Sequence, residues 1–351
     1  MGEKNRIDSA AFDRMAEAVS NDARALAALA EVALWSGNEE GAYALARRAI
    51  ALAPDDLEVR SRTRHPLTAR VPRWHFRMLR DERRNRAFED ALRRAVRPGM
   101  RVLDIGSGSG LLAMMAARAG AASVASCEMN EAVADVAREI VARNGLDATV
   151  RIICRKSTEL DPEETGGPAD LIVAEIVSND LLGESVLPVM EDAVRRLLKP
   201  GGTIIPEGGA AMVALARWTG LDESLGEVSG FDLSPFNALA SVPYRLEVDD
   251  RRLTLSSEAS AMFEFVFASG GPWRGGRATV ALTATAPANG VVQWIRLRMD
   301  SEGFYESRPG RDADSCWAAL FTPFDPAREA EPGETVQVHG SYEPTRLRIR
   351  A

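Results

Sequence analysis

The sequence of 351 residues has few cysteines, no long apolar run and no excess of positive charge. Its three cysteines, Cys127, Cys154 and Cys316, are too widely spaced for a metal-ligand pattern or a disulfide framework, so no metal site is expected. No stretch approaches the roughly 18 apolar residues of a membrane span, and the polar N-terminus contains no signal-peptide core. We therefore expect a cytoplasmic chain that has no membrane partner.

The charge balance is acidic, with 51 Asp and Glu against 43 Lys and Arg and a formal net charge of -8. Nucleic-acid binding rests on neutralising phosphates, so it is not expected as the main role, and cationic partners fit better. A hydrophobic content of 46% is enough for a large core. The length then predicts two domains and an extension.

Residues 1–65 are predicted to form a helical extension. The segment from Ser9 to Val59 is rich in alanine and has apolar residues at helical spacing. Its later part resembles the second half of one tetratricopeptide unit, and a single unit cannot build a solenoid groove, so we expect it to cap the next domain. The basic stretch Arg60–Pro66 is interpreted as a solvated linker, because proline disfavours helix at the residue before it.

Residues 66–206 alternate between helical and strand patterns, which is typical of a parallel α/β sheet. A helix is predicted from Trp74 to Val96 and ends at a Pro-Gly turn. The strands that follow are predicted at 101–105, 123–127, 149–154, 170–174 and 203–205, and the helices at 111–119, 131–144 and 187–198. Over residues 207–351, short alternating runs separated by Gly, Pro and Asp predict a β-sandwich or β-barrel.

A glycine-rich turn follows the first strand of the predicted sheet. It reads Asp104-Ile-Gly106-Ser-Gly108-Ser-Gly110, and its alternate glycines let the backbone approach a ligand closely. Such a turn alone fits a methyl donor or a dinucleotide equally well. Asp104 favours S-adenosylmethionine, because a carboxylate there can accept a hydrogen bond from the ammonium group that NAD lacks.

Two further acids follow the next two strands. Glu128 ends the second strand, where an acid can bind both ribose hydroxyls of a nucleoside. A ribose acid suits NAD as well, so Glu128 indicates a nucleoside only. Glu159 follows the third strand, where it can accept from an adenine amino group.

Glu175 and Glu184 bracket the loop that follows the strand at 170–174. Two carboxylates nine residues apart at the mouth of a cofactor cleft can clamp a planar cation, and guanidinium has the matching bidentate geometry. A protonated guanidinium is a poor nucleophile, so holding its plane and aligning one nitrogen with the methyl group is the expected catalytic contribution. The pair therefore predicts methyl transfer to arginine.

These residues resemble the protein arginine N-methyltransferase family, most closely the branch that has Trp-His-Phe-x-Met-Leu before the first strand. The similarity spans roughly residues 72–351, and the N-terminal helices resemble those of members with tetratricopeptide units. The resemblance implies a Rossmann-like class I methyltransferase domain at 66–206 and a C-terminal β-barrel substrate domain at 207–351. It also implies S-adenosylmethionine as the methyl donor and arginine in proteins as the acceptor.

The resemblance implies roles for individual side chains. Arg84 would reach the carboxylate of the donor and lie near Glu175, Met78 would line the transfer channel, and Thr158 would lie beside the adenine ring. The catalytic pair is Glu175 and Glu184, and the complete set expected to hold the donor is His75, Met78, Arg84, Asp104, Gly106, Gly108, Gly110, Glu128, Thr158 and Glu159.

One loop departs from the family pattern. The family has a Thr-His-Trp loop near the C-terminus, whose histidine pairs with an aspartate of the N-terminal helix. Here the loop reads Ser315-Cys316-Trp317, and the corresponding acid is Asp81. Cysteine supplies no cation, so that ion pair is not expected. Trp317 is predicted either to stack on the substrate guanidinium or to pack in the core.

Residues 218–238 occupy the place of the family's dimerisation arm, in a shorter form. We expect a homodimer, with apolar contacts from Trp218, Leu221, Leu225 and Phe231. Two other functions stay open. One is a small-molecule N-methyltransferase that acts on free arginine or another amine, and the other is a catalytically silent adaptor whose N-terminal helices bind a partner.

Overall fold

The computed structural model describes residues 9–69, 71–223, 225–240, 242–311 and 313–351. These residues fall into two compact units. The first contains the described part of Met1–His75 with Asn130–Val136, and the second contains the described parts of Phe76–Met129 and Ala137–Ala351. Within the described residues, every helix is too short or too polar to cross a membrane.

Four helices form most of the first unit: α1 (Ser9–Ala18), α2 (Ala23–Trp35), α3 (Glu39–Leu52) and α4 (Leu57–Thr68). Asp22, Asn38 and Asp56 cap α2, α3 and α4, because their side chains accept backbone N–H groups that the first helical turn leaves free. Small buried side chains let α2 and α3 pack closely; they include Ala27, Ala30, Ala33, Ala42, Ala46 and Ala49. The predicted helical extension is therefore confirmed.

The linker expected at Arg60–Pro66 is wrong, because this stretch lies inside α4. Val59, Thr63 and Pro66 recur at helical spacing and are buried, and α4 packs against α2 and α3. Thr63 Oγ1 also donates to the Val59 carbonyl at 2.7 Å. Burial of this face outweighs the backbone hydrogen bond that a proline within a helix removes.

The single helix expected from Trp74 to Val96 is two helices, α5 (Trp74–Arg80) and α6 (Glu82–Ala95). Asp81 separates them, with an extended backbone and with Oδ1 accepting from Arg84 N at 2.8 Å. A side chain that bonds to its local backbone in this way begins a new helix at the expense of continuing the old one.

A parallel sheet of five strands forms the α/β part of the second unit. Its strands are β1 (Arg101–Ile105), β2 (Ser123–Glu128), β3 (Val150–Cys154), β4 (Ala169–Ala174) and β5 (Leu198–Ile205), in the order β3-β2-β1-β4-β5. The connecting helices are α7 (Leu111–Arg118), α8 (Glu131–Arg143) and α9 (Val186–Arg196). The strand order reverses between β1 and β4, and ligands of open sheets bind beyond the carboxyl ends of the strands at such a point.

The chain after Pro206 forms antiparallel sheets. Its strands are β6 (Gly208–Trp218), β7 (Glu227–Val228), β8 (Phe231–Asp232), β9 (Tyr244–Leu246), β10 (Leu253–Leu255), β11 (Ser260–Val266), β12 (Gly276–Thr283), β13 (Gly290–Arg298), β14 (Phe304–Glu306), β15 (Ala319–Pro323), β16 (Thr335–Glu343) and β17 (Arg346–Arg350). The main sheet runs β10-β6-β13-β15-β9, with β11 on β6 and β14 on β13, and a smaller sheet runs β12-β16-β17. This curled, barrel-like part confirms the predicted fold class.

Strand β6 is buried on both faces. Successive side chains of a strand point to opposite sides, and those of β6 divide between two core clusters. Val213 and Leu215 belong to one cluster, while Met212, Ala214 and Trp218 belong to the other. This double burial explains the unbroken apolar run of the strand.

The arm at residues 218–238 offers only part of the expected apolar surface. Trp218 is buried, with its ring 5.0 Å from that of Tyr244, and Leu221 packs against the same core cluster. Leu225 and Phe231 are exposed as expected. Further exposed apolar side chains that the sequence analysis did not single out extend this surface, namely Val228, Leu233, Phe236 and Leu239.

Candidate active site

The glycine turn lies at the carboxyl end of β1 and is tied to the end of β2. Gly106 N donates to the Cys127 carbonyl at 3.0 Å, and Gly108 N donates to Glu128 Oε2 at 3.0 Å. At Gly106, φ is +83° and a Cβ would lie 2.7 Å from Ile176 Cγ2, so a side chain does not fit. At Gly108, φ is +51° and a Cβ would meet no described atom within 4 Å. Gly108 is buried, yet the space where its side chain would lie is open.

Asp104 is fully buried below this turn. Its Oδ2 accepts from Ser126 Oγ at 2.7 Å, whereas Oδ1 has no hydrogen-bond partner among the described residues. Burial raises the pKa of the carboxyl to about 7, and the charges of Glu128 and Glu175 act in the same direction, while Ser126 and Arg84 oppose the rise. Asp104 is therefore close enough to Glu128, Glu175 and Arg84 for their charges to change its pKa.

Arg84 and Glu175 form a buried ion pair, with 2.6 Å between Arg84 Nη2 and Glu175 Oε2. Arg84 Nη1 donates to Asn85 Oδ1 at 2.7 Å, and the guanidinium lies over the ring of Phe88. The side chains of Arg84 and Glu175 are only 3% and 6% exposed, so the bond between them is shielded from solvent. The proximity of Arg84 to Glu175 that the sequence analysis expected is present, and it fixes the orientation of Glu175.

The segment 175–185, called here the double-glutamate loop, is folded by its own side chains. Asp180 Oδ1 accepts from Leu182 N at 3.2 Å and from Gly183 N at 2.9 Å. Ser178 Oγ also accepts from Gly183 N at 2.6 Å, and its hydroxyl bonds to Asp180 Oδ1. These bonds shape the turn that leads directly into Glu184.

Glu184 is an exposed residue, yet nearby protein atoms partly displace water from its carboxyl. This partial loss of hydration raises its pKa to about 7, and like-charge repulsion from Glu175 and Glu128 adds to the rise. Glu175, Glu184 and Glu128 thus influence one another, and together with Asp104 and Arg84 they form one cluster of charges at the carboxyl edge of the sheet.

The contacts described for the other residues expected at the site do not include the charged cluster. His75 stacks on Trp74, with 3.9 Å between ring centroids, and its Nδ1 lies 2.9 Å from the Pro72 carbonyl oxygen. Thr158 and Glu159 are exposed, and Glu159 lies 3.9 Å from Lys156 Nζ. Met78 is buried in α5. The donor-binding roles of these residues stay predictions.

Comparison with known proteins decides the family. A family model described as Ribosomal protein L11 methyltransferase (PrmA) matches residues 89–211. The chain is 41% identical over 292 residues to the Arginine N(omega)-methyltransferase of Streptomyces achromogenes subsp. streptozoticus, which covers 80% of this chain and 78% of that relative. The chain belongs to the arginine N-methyltransferase family.

A second arginine N-methyltransferase matches a smaller share of its own length. Protein arginine N-methyltransferase 7 of Oryza sativa subsp. indica is 32% identical over 264 residues, which is 66% of this chain but 36% of the rice protein. The fold is also shared with a solved structure, the Trypanosoma brucei PRMT1 enzyme-prozyme heterotetrameric complex with AdoHcy. The two structures align with a TM-score of 0.68 and 23% sequence identity, and the alignment covers 78% of this chain and 90% of the Trypanosoma chain. The chain is an S-adenosylmethionine-dependent arginine methyltransferase.

The glycine turn of this arginine methyltransferase fits its donor. Asp104 Oδ1, Ser107 Oγ and Arg84 Nε are buried, and none has a hydrogen-bond partner among the described residues. Buried polar atoms are seldom left without partners, and a ligand with matching groups would satisfy all three. The two oxygens can accept hydrogen bonds and the arginine nitrogen can donate one, which suits a ligand that carries both an ammonium and a carboxylate.

The Ser315-Cys316-Trp317 loop of this arginine methyltransferase meets Asp81 through hydrogen bonds. Tyr305 Oη and Cys316 N donate to Asp81 Oδ2 at 2.7 and 2.9 Å. Burial raises the pKa of the Cys316 thiol, with the charges of Glu175 and Asp81 contributing, so the thiol stays neutral. Tyr305 is not among the residues predicted at the site, because no local motif marks a residue 224 positions away from its partner.

Trp317 is buried, at 5% exposure, and its ring meets that of Tyr305 edge-on. Trp317 Nε1 donates to the Val177 carbonyl at 2.9 Å, and Ala318 N donates to Asn179 Oδ1 at 2.7 Å. The structure thus places Trp317 as a packed residue beside the double-glutamate loop. Its stacking on a substrate guanidinium stays a prediction.

Proposed function

We propose that this arginine methyltransferase clamps the acceptor guanidinium between Glu175 and Glu184. The observation that carries the proposal is the Arg84–Glu175 ion pair at the carboxyl end of β4, because it aims one carboxylate next to the glycine turn. Glu184 lies near the end of the double-glutamate loop, where the charge of Glu175 acts on its carboxyl. A cation placed between two carboxylates that repel each other stabilises the charges of both.

The donor would be held by the carboxyl edge of the sheet. Asp104 Oδ1 would accept from its ammonium group, Arg84 Nε would donate to its carboxylate, and Glu128 would bind its ribose hydroxyls. When bound, S-adenosylmethionine supplies an electrophilic methyl group on a positively charged sulfur. The turn from Gly106 to Gly110 would let the backbone lie against the donor without an intervening side chain.

The two glutamates would act mainly by alignment. Each accepts hydrogen bonds from one edge of the guanidinium, which fixes its plane and leaves one nitrogen facing the methyl group. Such alignment lowers the barrier by on the order of 7 kcal/mol. Transfer releases one N–H proton from the guanidinium, and Glu184, whose pKa is raised to about 7, is matched to accept it at neutral pH.

Glu184→Gln tests the clamp. The amide presents an NH2 group to a guanidinium that can only donate, so transfer is expected to fall at least 100-fold while donor affinity changes less than twofold. Methyl transfer from labelled S-adenosylmethionine and calorimetry of donor binding measure the two quantities. Glu163→Gln, which neutralises an exposed acid, is the matched control. Full activity of the Glu184 variant would remove the clamp from the mechanism.

Arginine residues in proteins are the proposed acceptor. The rice relative is named a protein arginine N-methyltransferase, and an acidic chain of net charge -8 suits cationic protein substrates. Free arginine is a second candidate, favoured by the name of the Streptomyces relative, which specifies arginine without the word protein. The departure at Ser315-Cys316-Trp317 leaves both acceptors open.

Three acceptors separate the two candidates: an arginine-containing peptide, free L-arginine and arginine blocked at its α-amino and α-carboxyl groups. A protein methyltransferase is expected to prefer the peptide and to accept the blocked amino acid. An enzyme for free arginine is expected to lose activity with the blocked form, because a site built around those charged groups is then left with unpaired partners. Comparing kcat/KM for the three acceptors measures this preference.

A further inference from the structure

Asp81 is a buried carboxylate that receives hydrogen bonds from three parts of the chain. It is 3% exposed. Oδ1 accepts from Arg84 N at 2.8 Å, and Oδ2 accepts from Tyr305 Oη at 2.7 Å and from Cys316 N at 2.9 Å. A carboxylate is only an acceptor, so the single proton of the Tyr305 hydroxyl is committed to Asp81.

The Tyr305 hydroxyl continues into the loop that contains Trp317. Tyr305 Oη and Ser315 Oγ are 2.7 Å apart. Because the Tyr305 hydroxyl donates its one proton in the bond to Asp81, the Ser315 hydroxyl donates to Tyr305 Oη. Ser315 Oγ in turn accepts from Trp317 N at 3.0 Å. A directed chain of hydrogen bonds therefore runs from Trp317 through Ser315 and Tyr305 to Asp81.

One end of this hydrogen-bond chain leads to Arg84, and the other end leads to the double-glutamate loop. At one end, Asp81 caps the first turn of α6, and the same turn carries Arg84, whose guanidinium pairs with Glu175. At the other end, Trp317 Nε1 donates to the Val177 carbonyl in the double-glutamate loop. Tyr305 is the only side chain in the described residues that bonds to both Asp81 and Ser315.

We propose that Tyr305 is a positioning residue for methyl transfer, which holds Arg84 and the double-glutamate loop in one geometry through Asp81 and Ser315. This inference rests on the proposed clamp, because Glu175 and Glu184 are the groups that it aligns. Tyr305 itself touches neither of them in the hydrogen bonds described. Its effect is therefore expected on the turnover step more than on binding.

Tyr305→Phe in the full chain removes the hydroxyl and keeps the ring. A small misplacement of aligned groups slows a reaction strongly, so kcat is expected to fall about tenfold, with less than a twofold change in the donor Kd. Asp81→Asn keeps a capping oxygen for Arg84 N but turns an NH2 group toward two donors, and it is expected to slow turnover similarly. If the residues act as a pair, the double variant is no slower than Asp81→Asn.

Tyr43→Phe is the matched control, because Tyr43 Oη donates to Asp135 Oδ2 at 2.9 Å within the first unit. It removes the same kind of bond and is expected to leave kcat unchanged. Amide hydrogen exchange gives a readout that does not need activity. Peptides covering 175–185 and 315–318 are expected to exchange several-fold faster in Tyr305→Phe, and to be unaffected in Tyr43→Phe.

Wild-type turnover in Tyr305→Phe, an additive double variant, or unchanged exchange over 175–185 would each overturn the inference. A fall in kcat matched by an equal loss of donor binding and of thermal stability would also overturn it, since that result indicates general unfolding. Full activity of Glu184→Gln would instead overturn the proposed clamp. The exchange measurement would then still decide whether Tyr305 holds the loop.

Discussion

Asp104 and Glu184 are two carboxyls whose pKa values rise to about 7 for different reasons. Asp104 is completely buried, whereas Glu184 is an exposed residue whose carboxyl is only partly desolvated. A raised carboxyl pKa means that the folded chain binds protons more tightly than the unfolded chain. The contribution of these two carboxyls to the free energy of unfolding is therefore highest at acidic pH, and it is lost as the pH rises from about 4 to about 7.

The same shift predicts a pH dependence of catalysis. If Glu184 must be a carboxylate to hold the guanidinium, kcat/KM for the acceptor is expected to rise about tenfold between pH 6 and pH 8, with an inflection near pH 7. Measuring kcat/KM at saturating donor across this range tests it, and Asp104→Asn, which removes the other carboxyl of similar pKa, is the control. A flat profile, or one whose inflection disappears with Asp104→Asn, would contradict the assignment to Glu184.

At the scale of a single element, the double-glutamate loop is held by packing in a conformation that is locally unfavourable. Leu181 has φ +77° and Ser185 has φ +64°, which are uncommon for residues other than glycine and cost about 1–3 kcal/mol each. Leu181 is fully buried, and a Cβ at Gly209 in β6 would lie 2.9 Å from its Cδ1. Gly209 thus leaves the space that Leu181 fills, and this burial offsets the strain.

Asp180→Ala is expected to loosen this loop. It removes the acceptor for Leu182 N and one of two acceptors for Gly183 N, immediately before Glu184. We therefore expect kcat/KM to fall about tenfold, equivalent to about 1.4 kcal/mol, while donor affinity stays within twofold. Asp180→Asn keeps an oxygen at the same position and is expected to retain most of the activity. Kinetic measurement of both variants tests the idea, and equal activities of the Ala and Asn variants would contradict it.

At the scale of the whole molecule, the arm presents an apolar surface that a single chain leaves in water. Phe231, Phe236 and Leu239 are 71%, 63% and 73% exposed. Large apolar side chains grouped on one surface mark an interaction site more often than scattered ones do. We propose that this surface joins two copies of the chain, and that Leu225 contributes to it while the buried Trp218 does not.

Size-exclusion chromatography with light scattering tests the homodimer. The wild-type chain is expected at twice 38.0 kDa, and Phe231→Ser is expected to shift the mass to 38.0 kDa because it removes an aromatic anchor from the contact. Phe304→Ser changes another exposed phenylalanine, outside the arm, and is expected to leave the mass unchanged. A wild-type mass of 38.0 kDa at micromolar concentration would refute the dimer.

The sequence by itself determined the class of fold and most of the charged cluster. Periodic apolar patterns specify strands and helices directly, so β1 and α7 lie within a residue of their predicted bounds. Glu175, Glu128 and Asp104 lie at strand ends or next to glycines, and parallel strands bring their carboxyl ends to one edge. The local sequence pattern and the strand topology were therefore sufficient to predict where these three acids lie.

Tertiary structure decided what depends on distant partners. Pro66 lies in a helix because α4 buries the face that carries it. Asp81 separates α5 from α6 because its side chain caps α6. Trp218 is buried beside Tyr244. Tyr305 reaches Asp81 across 224 positions of sequence. No local pattern carries such contacts, because burial and hydrogen bonding depend on which segments meet once the chain has folded.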